Sequence, residues 1–124
     1  MALHCSNILE AVCSNQESKS LREDVKRIAF RSLRTKYRNG VLKCEFDTRN
    51  APPLTGIGDI SKRYPSMLFR YTFNVVDDPC DENSAGRCLL LNGACRMLFK
   101  GSGNTLNMLE KRLDIIWRTE MYIG

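Results

Sequence analysis

Arg87-Cys88-Leu89-Leu90-Leu91-Asn92-Gly93-Ala94-Cys95-Arg96-Met97-Leu98-Phe99 is the stretch whose reading decides the fold class. Asn92-Gly93 lies between two apolar runs. A two-residue type I′ turn needs positive φ at both central positions, which Asn and Gly tolerate best. The stretch therefore predicts two antiparallel strands joined by a tight turn. In the second strand Cys95, Met97 and Phe99 are expected on one face, and Arg96, Leu98 and Lys100 on the other. Gly101-Ser102-Gly103-Asn104 then breaks the strand and offers N-cap candidates. A helix over residues 105–120 is expected to follow, with Leu106, Leu109, Leu113, Ile116 and Trp117 as its apolar stripe.

Upstream, Met67 to Val76 alternates as a strand. Met67, Phe69, Tyr71, Phe73 and Val75 share one face; Leu68, Arg70, Thr72 and Asn74 share the other. Residues 47–66, with Pro52, Pro53, Gly56, Gly58 and Pro65, read as a long irregular connection, and Val41 to Phe46 as a strand. Ser20-Leu21-Arg22-Glu23 has the capping-box pattern. It predicts a basic helix carrying Leu21, Val25, Ile28, Ala29, Leu33 and Tyr37 at helical spacing, ended by Gly40 as a C′ residue. Residues 1–19 read as an irregular lead-in or an edge strand.

These elements imply one α+β domain over residues 1–124. Its antiparallel sheet, or partial β-barrel, has four to five strands, with two helices packed on its apolar face. The expected core joins Leu21, Val25, Ile28, Leu33, Leu42, Phe69, Tyr71 and Phe73 to Leu89, Leu91, Cys95, Met97 and Phe99. Leu106, Leu109, Leu113 and Trp117 complete it.

The chain has 124 residues, enough for one domain with a real core. Its 19 Lys and Arg exceed its 14 Asp and Glu, giving a net charge of +5. That balance permits an acidic or nucleic-acid partner without demanding one. The cations are scattered in pairs, such as Lys26-Arg27 and Lys62-Arg63, so an evenly solvated surface is the first reading. The six cysteines contain no Cys-x-x-Cys pair, and the sole histidine is His4. Zinc would need ligands that this set lacks. The apolar run Asn7–Val12 is short and has no basic start, which argues against a signal peptide. Reduced, structural cysteines in a reducing compartment are therefore expected.

Chemistry has few candidates. His4 has no acidic orienter for a Cys–His arrangement with Cys5 or Cys13. Asp77-Asp78 and Asp81-Glu82 read as solvated turn acids. Gly101-x-Gly103 lacks both the Gly-x-Gly-x-x-Gly pattern and the Walker Lys-Ser/Thr. No catalytic residue, metal ligand or cofactor is expected. Leu68, Leu90 and Leu98 would remain on the second face of the sheet, beside Arg70, Arg96 and Lys100. These six residues form the candidate interaction surface.

The order of elements resembles the N-terminal half of a known family, the TBP-related subunit twenty of the Mediator complex, in a fungal form. Leu21 to Tyr37 followed by Val41-Leu42-Lys43-Cys44-Glu45-Phe46 resembles that family's first helix and strand. Tyr64-Pro65 with Ser66 to Phe73 resembles its next strand, Cys88 to Cys95 its hairpin, and Asn104 to Lys111 the start of its long helix. Leu113 to Arg118 resembles the helix end of yeast forms, and Ile123-Gly124 the beginning of the following strand. The resemblance spans residues 20–124; Asp77 to Gly86 does not correspond. Family members continue into a second half that helps close a β-barrel. The resemblance therefore implies a fragment, a truncated gene model or another kind of protein. It also implies a non-enzymatic nuclear scaffold that regulates RNA polymerase II transcription. Such a scaffold pairs first with Mediator subunit eighteen, contacts the polymerase indirectly and has no membrane association. An α-β-β-β-α order, resting on Cys88 to Leu91 and the last helix, is also similar to the Alu-domain proteins of the signal recognition particle. Those are small, basic, cytoplasmic RNA binders that heterodimerise.

Overall fold

The computed structural model describes residues 4–29, 31–49, 52–75, 84–109 and 111–112. Its strands are β1 (His4–Val12), β2 (Arg31–Arg38), β3 (Val41–Arg49), β4 (Leu68–Val75), β5 (Ala85–Leu91) and β6 (Ala94–Gly101). Helix α1 (Asn15–Ile28) follows β1, and α2 (Leu54–Arg63) follows β3. A third helix, α3, begins at residue 103 and is described through 109 and again at 111–112. The strands form one open sheet in the order β2-β3-β1-β4-β5-β6, and every neighbouring pair is antiparallel. The α+β class and antiparallel sheet match the expectation. Six strands replace four to five, three helices replace two, and the sheet is open rather than a partial barrel.

These pairings make β1 and β2 parallel, with β3 inserted between them, and β3 and β4 parallel, with β1 between them. With α1 and α2 as the crossovers, the first six elements are two interlocked split β-α-β units, the ferredoxin-like arrangement. β5 and β6 extend that sheet beyond β4 as a meander.

The expected first helix is corrected at both ends. α1 starts at a capping box one pattern earlier. The Glu17 amide donates to Ser14 Oγ at 3.1 Å, and the Ser14 amide donates to Glu17 Oε1 at 2.9 Å. Ser20 lies inside α1, where its hydroxyl bonds Tyr64 at 2.7 Å. The helix stops at Ile28, and residues 31–38 turn back as β2. Leu33 and Tyr37 are four apart, which is one helical turn but also two strand periods. Asn39 and Gly40 settle the matter with φ of 54° and 77°. They form a hairpin turn, not a helix C-cap.

The lead-in is also corrected, because β1 is an interior strand paired with both β3 and β4. Cys5, Leu9 and Ala11 enter the core, and so does Asn7. Asn7 Nδ2 donates to Cys5 O at 3.1 Å, Phe46 O at 3.3 Å and Thr48 Oγ1 at 3.0 Å. Tyr71 OH and the Cys5 thiol donate to its Oδ1. A buried amide so fully satisfied fixes the register of three strands instead of costing a desolvation penalty.

The irregular stretch 47–66 contains α2, which buries Ile57, Ile60 and Ser61. At Gly56 a Cβ would stand 2.9 Å from Ile28 Cγ2, so glycine lets α2 come close to α1. Asp24 clamps the two helices, accepting from Arg63 Nη1 at 2.8 Å and Tyr64 OH at 2.8 Å.

The main core lies between the sheet and these two helices. It joins Leu21, Val25, Ile57 and Ile60 to Leu42, Phe69, Tyr71, Phe73, Cys88 and Leu90. α3 lies against the opposite face, where Leu106 packs with Ala85, Leu98 and Phe99. Ser102 caps it, accepting from the Thr105 amide at 3.1 Å. Thus the helices do not share one face as expected. Leu113, Ile116 and Trp117 lie outside the described residues.

Candidate interaction surface

The phase of β5 decides what the candidate surface can be. Phe69 stands opposite Leu90, and Tyr71 opposite Cys88. Leu90 therefore points with the aromatics into the main core, where it is 5% exposed. Leu89 and Leu91 take the other face, opposite Arg70 and Leu68. Leu91 is 47% exposed. A run of four apolar residues has no internal phase, so only pairing register reveals which face each one takes.

β6 adds a second correction. Its register shifts between Arg87 and Cys88, pairing Cys88 with Met97 but Arg87 with Phe99. The shift is a bulge at Leu98, and a bulge re-aims the side chains beyond it. Met97 keeps the helix-side face while Phe99 moves to the other. Cys95 and Met97 are exposed and not core, since β6 is an edge strand.

The six expected surface residues thus divide. Leu68 and Arg96 line a recess of about 210 Å³ with Leu89, Leu91 and Ala94. Leu98 lies beside it, packed on Leu89. Arg70 is 6% exposed and ion-paired through Nε to Glu10 Oε1 at 3.4 Å. It is a buried charge with a partner, not a surface contact. Leu90 is core. Lys100 is exposed but stands opposite Gly86, on the helix side of the sheet. The expectation missed Leu89, Leu91, Ala94 and Cys95 as recess residues. The Asn92-Gly93 hairpin that places Leu91 and Ala94 as neighbours was legible. The face they share was not.

The β2–β3 part of that face is polar. Arg34 Nη2 meets Glu45 Oε2 at 3.2 Å, and Lys43 Nζ meets Glu45 Oε1 at 3.3 Å. Arg34, Thr35, Lys36, Lys43 and Glu45 line a shallow recess of about 350 Å³. A third cleft, about 140 Å³, lies under α3 and includes Thr72, Arg87, Leu106 and Asn107. There Arg87 Nε donates to Thr72 Oγ1 at 3.0 Å. Phe69, Tyr71 and Phe73 lie beneath the helices.

Titratable groups are shifted mainly by burial. Desolvation pushes the Cys5 thiol up to about 11 and the Cys44 thiol up to about 12. It raises the Cys13, Cys88 and Tyr71 groups as well. Tyr64 is raised by burial and by its bond to Asp24. Each of these shifts favours the neutral form, which suits packing rather than nucleophilic attack. Among the described residues no three His, Cys, Asp or Glu side chains group as metal ligands, and no helix is long and apolar enough to cross a membrane.

No family model, no curated protein and no solved structure matches the chain.

Proposed function

We propose that this chain is a non-enzymatic protein-interaction subunit that receives its partner at the β5–β6 end of the sheet. One observation carries the reading. Leu68, Leu89, Leu91 and Ala94 form an apolar recess at the end of the sheet, on the face that α1 and α2 do not cover. Exposed, contiguous apolar surface beside an edge strand is the usual chemistry of protein docking. The resemblance to Mediator subunit twenty supplies the particular reading. The chain acts as a nuclear coactivator subunit in RNA polymerase II transcription, pairing first with subunit eighteen. The strand 68–75, the hairpin and the last helix support that resemblance, whereas the expected first helix and loop have the different order described above.

The basic edge favours a second reading as a small RNA binder. Arg34, Lys36 and Lys43 cluster at β2–β3, and cations positioned along an edge can follow a phosphate backbone. Against it, the described positions of β1 and β3 on the face away from α1 and α2 are His4, Ser6, Ile8, Glu10, Val12, Val41, Lys43, Glu45, Asp47 and Arg49. This set has three carboxylates and no Phe, Tyr or Trp for base stacking.

The test is capture of tagged protein from nuclease-treated nuclear extract, read by mass spectrometry, with Leu91→Asp alongside. Recovery of Mediator head subunits by the wild type, lost in the variant, supports the first reading. RNA bound before nuclease and nothing recovered after it overturns that reading in favour of the second.

A further inference from the structure

We propose that Cys88, Cys95 and Met97 form a binding site for a soft monovalent metal ion, Cu(I) or its analogue Ag(I). The pairing register places the three side chains together. Cys88 stands opposite Met97, and Cys95 stands opposite Leu90 one diagonal step away, so all three project from the helix-side face of β5–β6. Cys95 is thus the nearest thiol to Cys88 across the β5–β6 ladder, close enough to add to the effect of burial on it. Burial then grades outward: Cys88 is 1% exposed, while Cys95 and Met97 are open to solvent. An ion arriving from solvent meets the thioether and one thiol before the buried one.

The sulfur set selects the ion. Thiolate and thioether donors suit Cu(I), whereas zinc sites take four ligands from Cys, His, Asp and Glu. No such group occurs among the described residues. The geometry also disfavours the competing fate of two neighbouring thiols. Diagonal cross-strand residues stand about 7–8 Å apart at Cα. A disulfide does not close beyond about 7 Å without backbone movement. Two neighbouring thiols on one face that are poorly placed to bond to each other are what an ion with two thiolate ligands can bridge.

Binding is a simple exchange. Two S–H bonds break, two metal–sulfur bonds form, and both protons leave to solvent. Met97 Sδ contributes a lone pair, and no atom changes oxidation state. The ion would tie the edge strand β6 to β5.

The experiment is anaerobic titration of the reduced full chain with Cu(I) against bicinchoninate as competing chelator, with Zn(II) in parallel. Ag(I) serves for thermal melts. Wild type is expected to retain stoichiometric Cu(I) and to melt higher with Ag(I). Cys95→Ser, at an exposed position, should keep the apo melting temperature and lose both effects. Met97→Leu should hold the ion more weakly. The proposal is overturned if wild type retains no Cu(I), or if it retains Zn(II) equally well. It is also overturned if Cys95→Ser retains Cu(I) as wild type does, which would assign the ion to other thiols. Unchanged affinity in Met97→Leu would overturn the three-sulfur set.

Discussion

The sheet ends in two edges of opposite character. β2 presents Arg34, Lys36 and Arg38 to solvent, and its register is broken near Ser32, which adopts φ of 61°. Cationic side chains and an irregular backbone discourage another strand from adding there. β6 also carries a bulge and exposes Arg96 and Lys100, but it adds exposed Cys95 and Met97, and Leu91 across the turn is exposed too. Both edges connect to their neighbours through Asn-Gly turns with φ of 49–82°. One motif thus builds a guarded edge at one end of the sheet and an open one at the other. The difference teaches where to look for a protein partner: at β6, with β2 as the place for a polyanion if there is one.

The largest effect separates adjacent residues at the open edge. Leu90→Asp places a carboxylate among Phe69, Tyr71 and Cys88. It should cost on the order of 5 kcal/mol, enough to abolish the folding transition of a domain with ordinary stability. Leu91→Asp changes a half-exposed position and should leave the melting temperature within a few degrees of wild type, while removing partner capture. Circular-dichroism melts read the first outcome and capture reads the second. A Leu90→Asp protein that melts normally would mean that β5 has the opposite phase, and the recess would have to be redrawn.

A smaller effect should appear at the guarded edge. Arg34→Glu with Lys36→Glu reverses two exposed charges. Because exposed pairs such as Arg34–Glu45 contribute under about 1 kcal/mol, stability should barely move. Partner capture should also persist, because neither residue lines the β6 recess. RNA retention in a filter-binding assay would fall sharply on the second reading. Loss of protein capture in this double variant would show that the two edges act as one surface, and the contrast between them would fail.

The same contrast explains what could be read from the chain alone. Asn92-Gly93 announced its hairpin because the flanking runs had no helical alternative. Asn39-Gly40 carries the same signal, yet the Leu33 and Tyr37 spacing satisfied a helix as well as a strand. β1 was hidden by Asn7, a polar residue at a core position whose partners come from Phe46, Thr48 and Tyr71, all distant in sequence. α2 was hidden by Pro52, Pro53, Gly56 and Gly58, residues that usually mark loops. Gly56 is there because α1 lies against it. At the candidate surface, Leu68 was legible because β4 alternates cleanly. The Leu89–Leu91 phase and the Leu98 bulge were not, since both are set by pairing between strands.

The smallest effect compares the two turns themselves. Gly40 has φ of 77°, and a Cβ there would meet nothing within 4 Å. Gly40→Ala therefore carries only the left-handed backbone penalty, about 1 kcal/mol. Gly93 has φ of 82°, and a Cβ there would lie 2.7 Å from Lys62 Cγ and Cε. Its amide also donates to Ser61 Oγ at 3.0 Å, which anchors the hairpin to the end of α2. Gly93→Ala must displace Lys62 and disturb that anchor, so it should cost about 1 kcal/mol more than Gly40→Ala. Urea midpoints at unchanged slope measure the difference. If the two variants lose equal stability, the β5–β6 turn is not held by α2, and the open edge is freer to move than the guarded one. A larger loss at Gly93 shows that the β5–β6 end is braced from behind by α2, so that the docking proposed there would meet a preformed surface with little ordering cost.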